Sequence, residues 1–169
     1  MSNPPGASDA PQAQAGRETD HVGQGHAKLA LERFLPYRLS VLSNRVSQRI
    51  ATAYDERFGI GITEWRVIAV LGRYPGLSAT RVSERTAMDK VAVSRAVARL
   101  LERGLLQRDI HGADRRKSVL ELSEAGYKVY DEVVPLALGF ERDLLGALDD
   151  DERAALERLL TKLESASVR

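Results

Sequence analysis

Within ten residues of the 169-residue chain, Lys90, Ser94, Arg95 and Arg99 recur at intervals close to four and five, with Val91 and Ala92 between them. On a helix that spacing brings two guanidinium groups, an ammonium and a hydroxyl near one face. A guanidinium placed there can bond both acceptors of a guanine edge, and small apolar side chains can meet thymine methyls. An isolated basic helix face is ordinarily no more than a solvated surface with i,i+4 support. The elements around this one must decide its use.

Those elements are readable on both sides. Asp89 is placed to cap the helix, Val93, Val97 and Leu100 give it a buried face, and Gly104 stands where the chain must leave it. Before it, Ser78 caps a short helix, SATRVSERT, with Val82 as its core contact, and Ala87-Met88-Asp89 makes a three-residue turn. Two helices joined so tightly form a helix-turn-helix. After it, Leu105 to Ile110 and Lys117 to Leu122 read as two strands around the basic tip HGADRR. The order matches a helix that enters a DNA groove followed by a wing that holds the neighbouring backbone. Context therefore turns the basic face into a base reader, with Arg95 as the bidentate candidate and Ser94, Lys90, Arg99, Val91 and Ala92 around it. Arg115 and Arg116 at the tip could each reach a minor groove. Ser78, Thr80, Arg81 and Arg85 on the preceding helix are placed for phosphate contacts, which position without reading bases. His111 beside the tip could sense a ligand or pH, although a strand-end His is ordinarily just solvated.

Charge follows the same division. Residues 81 to 117 carry ten Lys and Arg against five Asp and Glu, residues 118 to 169 carry six against twelve, and the whole chain is at +1. Positive charge is concentrated where a polyanion would bind. The chain has no cysteine, which removes disulfides, thiolate zinc sites and thiol switches. No apolar stretch approaches a membrane span or a signal-peptide core, so a soluble cytoplasmic protein without membrane contact is expected. His21 and His26 lie five apart without a metal-ligand pattern, and no phosphate-binding Gly loop or Gly-x-Ser-x-Gly elbow occurs. Neither enzyme chemistry nor a cofactor or metal is expected.

The ends of the chain have other work. Residues 1 to 26 are rich in Pro, Gly, Ala and Gln and predict a disordered tail. From 27 to 60, Leu29, Leu31 and Phe34 suggest a turn or two. Pro36 then opens or kinks a long helix with Leu39, Leu42, Val46, Ile50 and Ala53 on one face, ended by Gly59 and Gly61. Residues 61 to 122 form the DNA-binding lobe, beginning with a helix that Thr63 is placed to cap and Pro75-Gly76 to stop. In 123 to 169, Ser123 caps a helix that Pro135 should bend around Asp131, and Asp149 with Glu152 starts a last helix whose face is Leu156, Leu159, Leu160 and Leu163. These apolar faces exceed what a small winged lobe can cover, which predicts a homodimer built from both ends of the fold. The expected fold class is mainly α with a small β-wing: a winged helix-turn-helix whose N- and C-terminal helices form a dimerisation domain.

From about Leu35 to Val134 the chain resembles the MarR family of transcription regulators. ADRRKSVLELSEAGY is similar to that family's Asp-x-Arg and Leu-x-Leu-[Thr/Ser]-x-x-Gly signature, VSERTAMDKVAVSRAVARLLERGLLQR to its helix-turn-helix, and TEWRVIAVLGRYPG to its second helix. The resemblance implies a dimer on a pseudo-palindromic double-stranded operator, often released by a small aromatic acid. It gives Asp114 the role of orienting Arg116, and it places the effector where the first two helices meet the DNA lobe. Tyr37, Arg38, Trp65 and Arg66 are the candidates there, since a carboxylate wants a guanidinium and a planar ring an aromatic wall. Each also has an ordinary role, Trp65 in the core and the arginines in surface ion pairs. FLPYRLSVLSNRVSQRIATAYDERFGI and TAMDKVAVSRAVARLLERGL look most similar to repressors of nicotinate catabolism, the NicR/BpsR type, which implies 6-hydroxynicotinate or a relative as inducer. Two positions depart from the family pattern. Val91 and Ala92 stand where many members have hydroxylated residues, and Ser123 replaces a Thr. A ligand-independent DNA-binding protein of this fold, or a helical module docking an acidic partner, are the alternatives that residues alone leave open.

Overall fold

The computed structural model describes residues 26–110 and 118–167. The element order is α1 (Leu35–Phe58), α2 (Ile62–Arg73), α3 (Ala79–Thr86), α4 (Lys90–Glu102), β1 (Leu106–Ile110), β2 (Ser118–Leu122), α5 (Glu124–Leu145) and α6 (Asp150–Ser167). The mainly helical, winged helix-turn-helix expectation holds, and the predicted tail, apart from His26, lies outside the described residues.

Helix starts follow local chemistry. Pro36 opens α1, where its missing N–H costs nothing, and among the described residues a hydrogen-bonded turn at residues 31–33 precedes it. Gly59 closes α1 in the left-handed region at φ 59°, a conformation glycine adopts without a Cβ penalty. Ser78 Oγ accepts the Arg81 N–H at 3.3 Å, and Ser123 Oγ accepts that of Gly126 at 3.0 Å. Asp149 and Glu152 exchange side-chain to backbone bonds of 2.8 and 3.0 Å, a complete capping box. One expected start is corrected. The residue before α2 is Gly61, not Thr63, because the Glu64 carboxylate turns back to accept the Gly61 N–H at 2.8 Å and begins the helix two residues early. α5 continues through Pro135, which leaves the Asp131 carbonyl without its usual donor.

β1 and β2 pair antiparallel, Leu106 opposite Leu122 through Ile110 opposite Ser118. The loop before α3 adds to this sheet. The Leu120 N–H donates to Leu77 O at 2.8 Å and the Gly76 N–H to Leu120 O at 3.1 Å, forming an isolated bridge. One core lies between α2, α3, α4 and the sheet, formed by Val67, Ile68, Leu71, Val82, Val93, Val97, Leu100, Leu120 and their neighbours, all fully or nearly fully buried. α1 enters it with Tyr54, and α5 with Val129 and Val133. Ile50, Ala51, Phe58 and Tyr130 pack against it partly buried, while much of the outer helices stays uncovered. Leu35, Leu39 and Leu42 on α1, Leu138 and Leu144 on α5, and Leu156, Leu159, Leu160 and Leu163 on α6 are exposed, and no described residue of α6 is buried.

Candidate nucleic-acid interface

The helix-turn-helix is held by short-range bonds. Ala87 takes the left-handed region at φ 51°, Ser83 Oγ donates to Met88 O at 2.8 Å, and Thr86 Oγ1 donates to Val82 O at 2.8 Å. Asp89 Oδ1 then accepts the N–H groups of Val91 and Ala92 at 2.9 and 3.0 Å, which fixes where α4 begins. Val93, Ala96, Val97 and Leu100 face the core. By helical periodicity this leaves Lys90, Val91, Ser94 and Arg95 on the exposed side, where the structure has them. Val91 is 56% exposed, a branched aliphatic presented to solvent at the start of a helix.

Ala92 and Arg99 are placed differently. With Arg95 and Ala96 they line an open groove against the start of α2, formed by Gly61, Ile62, Thr63 and Glu64. Arg99 Nη1 lies 3.8 Å from Glu64 Oε1, and Glu64 is buried. The arginine side chain itself is 68% exposed, so the pair is screened and the guanidinium still faces water.

On α3, Ser78 is half-buried in its capping role and Thr80 is exposed. Arg81 is paired with Glu84 at 2.9 Å on the surface. The Arg85 guanidinium sits 3.9 Å above the Tyr74 ring, with that of Arg73 at 4.9 Å. The Arg73 and Tyr74 partnership has no sequence motif to announce it. Of the wing residues, His111, Asp114, Arg115 and Arg116 lie outside the described residues.

The effector candidates fall into two pairs. Tyr37 and Arg38 are exposed on the first turns of α1, in a shallow groove that α1 lines alone with Leu35, Leu39, Val41, Leu42 and Arg45. Trp65 is partly buried between Tyr54 and Tyr130, with ring centroids at 5.7 and 6.3 Å. Arg66 donates from Nη2 to Ser47 Oγ at 3.0 Å, which anchors it to α1. Arg38 and Ser47 are nine positions apart on α1, roughly 13 Å of helix rise. One protomer therefore does not bring the four together. Burial pushes the Tyr54 hydroxyl up to about 12, with Arg66 opposing the rise and Asp55 adding to it. Tyr54 and Tyr130 were not legible as partners of Trp65, because neither contact is local in sequence.

Among the described residues, no group of three or more His, Asp or Glu could hold a metal ion, and no helix is long and apolar enough to cross a membrane.

A sequence model of the MarR family matches residues 58–117, from the end of α1 to the wing. The crystal structure of a MarR/EmrR family transcriptional regulator from Acinetobacter sp. ADP1 superposes with a TM-score of 0.75 at 32% identity, covering 82% of this chain and 98% of that one. BpsR of Bordetella bronchiseptica, solved to explain regulation of its DNA binding by 6-hydroxynicotinic acid, gives 0.63 at 28% identity over 75% and 98%. The HTH-type transcriptional repressor NicR of Pseudomonas putida is 34% identical over 86 residues, 51% of this chain and 54% of that protein. With a family signature in the lobe and a relative matched along nearly its whole length, the chain belongs to the MarR family of transcriptional regulators.

Proposed function

We propose that the chain is a ligand-responsive repressor that binds a pseudo-palindromic operator as a homodimer, with residues 61–122 as the DNA-binding lobe and residues 27–60 and 123–169 as the dimerisation helices. The observation that carries this is α4. Its apolar face is buried and its start is fixed by Asp89, so Lys90, Val91, Ser94 and Arg95 are presented together. Arg95 and Ser94 would contact base edges, Val91 and Ala92 thymine methyls, and Lys90, Arg99, Ser78, Thr80 and Arg81 the backbone. Asp114, Arg115 and Arg116 would make the wing contact. The exposed leucines of α1, α5 and α6 support a second copy as their cover. Two recognition helices would then enter successive major grooves about 34 Å apart.

The proposed effector is a small aromatic carboxylate, and the similarity to BpsR and NicR favours a hydroxylated nicotinate. Arg66 and Trp65 would meet its carboxylate and ring; His111, outside the described residues, is the remaining candidate from the sequence. Tyr37 and Arg38 would complete the same site only from the second copy, since within one chain they lie apart. The ligand would act by binding one arrangement of the lobes more tightly than the other.

A gel shift with DNA upstream of the protein's own gene tests the core of this reading. Sequence-preferring binding is expected, with log affinity falling against log salt at a slope near −7 for roughly eight neutralised phosphates. A slope near zero refutes it. Thermal melting against aromatic acids, nicotinate derivatives included, tests the effector, because selective binding to the folded protein must raise the midpoint.

A further inference from the structure

One side chain joins the end of the recognition helix to the end of α1. Arg103, where α4 terminates, donates from Nη1 to Gly59 O at 2.9 Å and from Nη2 to Phe58 O. These carbonyls sit at the C-terminus of α1, where no further turn supplies amide donors and the helix dipole is negative. A forked cation answers both needs. The receiving end is itself well ordered by Gly59, whose N–H returns to Asp55 O at 2.7 Å. One residue beyond Arg103, Gly104 O accepts a bond from Ser123 Oγ at 2.6 Å, and Leu105 O accepts the Ser123 N–H at 3.1 Å. Ser123 is the cap of α5. The C-terminal end of α4 is thus tied to the ends of α1 and α5, while the residues placed to read bases lie in its N-terminal half.

We infer that Arg103 is a latch that sets the pitch of the recognition helix against α1, and through it the half-site spacing the regulator accepts. The inference rests on the DNA-binding reading above. Arg95 and Ser94 lie eight and nine residues before Arg103, a lever of about 12–14 Å from the latch to the base readers. A tilt of about 10° about the latched end moves them by roughly 2 Å, and the same tilt in both copies changes their separation by about 4 Å, comparable to the roughly 3.4 Å rise of one base pair. Arg103 is a positioning residue here, because it acts through α4 and its own guanidinium is occupied by α1.

The test begins with full-length protein selecting a palindromic duplex from a random pool. That duplex is then lengthened or shortened by one base pair at its centre. The parent protein should lose about tenfold or more in affinity on either altered duplex, as for a mismatched site. Arg103→Ala should lose less than about threefold, because an unlatched helix adapts its pitch. Arg103→Lys, with the charge but not the fork, should fall between them. A general electrostatic or structural role would weaken binding on all three duplexes alike, so an unchanged ratio in Arg103→Ala overturns the latch whatever the absolute affinity. If the parent protein selects no duplex, the DNA-binding reading fails on its own. The latch is then judged by spin labels at Ala98→Cys on α4 and Ser43→Cys on α1, both exposed sites in a cysteine-free chain, diluted with unlabelled protein so that intrachain pairs dominate. A distance distribution that broadens without Arg103 supports it, and one of unchanged width overturns it.

Discussion

Gly126 and Gly139 both lie in α5, and alanine should have opposite effects at the two positions. A Cβ on Gly126 would stand 2.0 Å from Leu105 O, 3.1 Å from Leu105 C and 3.3 Å from Leu122 Cβ. The obstacle is backbone, so the start of α5 or the α4–β1 connection must move by about 1 Å, an overpacking that costs roughly 1–3 kcal/mol. The movement strains the bonds that meet there: Ser123 N–H to Leu105 O, Ser123 Oγ to Gly104 O and Gly126 N–H to Ser123 Oγ. Each contributes about 1 kcal/mol. Against this, alanine gains at most about 1 kcal/mol in helix propensity. A net destabilisation of about 2–4 kcal/mol follows, a fall in melting temperature of roughly 4–16 °C for a chain of this size. At Gly139 the nearest atom to an added Cβ is Arg142 Nη2 at 3.8 Å, so alanine there should stabilise by about 0.5–1 kcal/mol. Calorimetry at one fixed chain concentration compares both with the parent, since the proposed dimer would make the midpoint concentration-dependent. A Gly126→Ala protein melting within about 2 °C of the parent would refute the steric reasoning.

Three further outcomes are expected. Gly72→Ala puts a methyl 2.4 Å from the Tyr130 ring, which must shift and so change its contact with Trp65; we expect a loss of about 1–2 kcal/mol and a changed emission from the single tryptophan, and an unaltered spectrum would contradict the packing. Arg95→Ala should leave the melting temperature unchanged, because the side chain is exposed, while operator affinity falls by about 1–3 kcal/mol with relaxed preference at one base pair; uniform loss on every sequence would make Arg95 a phosphate contact instead. The Tyr54 hydroxyl, held neutral in the fold up to about 12, ionises near 10 once unfolded. Its stabilising contribution is therefore complete below pH 10 and declines by about 1.4 kcal/mol per pH unit from there to about 12, a slope that Tyr54→Phe should remove in alkaline denaturation.

The junction of Gly104, Leu105, Ser123 and Gly126 also gives the Leu-x-Leu-[Thr/Ser]-x-x-Gly pattern a physical meaning in this chain. Leu120 and Leu122 are the buried positions of β2, Ser123 caps α5 while bonding the turn after α4, and Gly126 is where α5 touches the Leu105 carbonyl. The pattern encodes a close approach of α5 to the end of α4, and α4 takes its footing from it.

What the sequence by itself determined is whatever depends on groups within about four residues of one another. The caps at Ser78, Asp89, Ser123 and Asp149, the left-handed ends at Gly59 and Gly104, and the buried stripe of α4 all follow from side chains bonding or packing against their own helix. The element order, and with it the family resemblance, came from these. Tertiary structure decided the rest. α2 starts after Gly61 and not at the expected Thr63 because Glu64, buried and facing Arg99 of α4, turns back to Gly61; the bond is local but its buried setting is not. Leu77 joined the sheet, Trp65 found Tyr54 and Tyr130, and Arg99 leaned toward Glu64, each across a separation that periodicity does not report. The effector candidates share a chemistry in the sequence but not a place in one protomer, because α1 carries Tyr37 and Arg38 well beyond Ser47. In the sequence nothing distinguishes Arg103 from any other cation at a helix end. Its carbonyl partners lie 44 and 45 residues away, so only folding could show it bound to the end of α1.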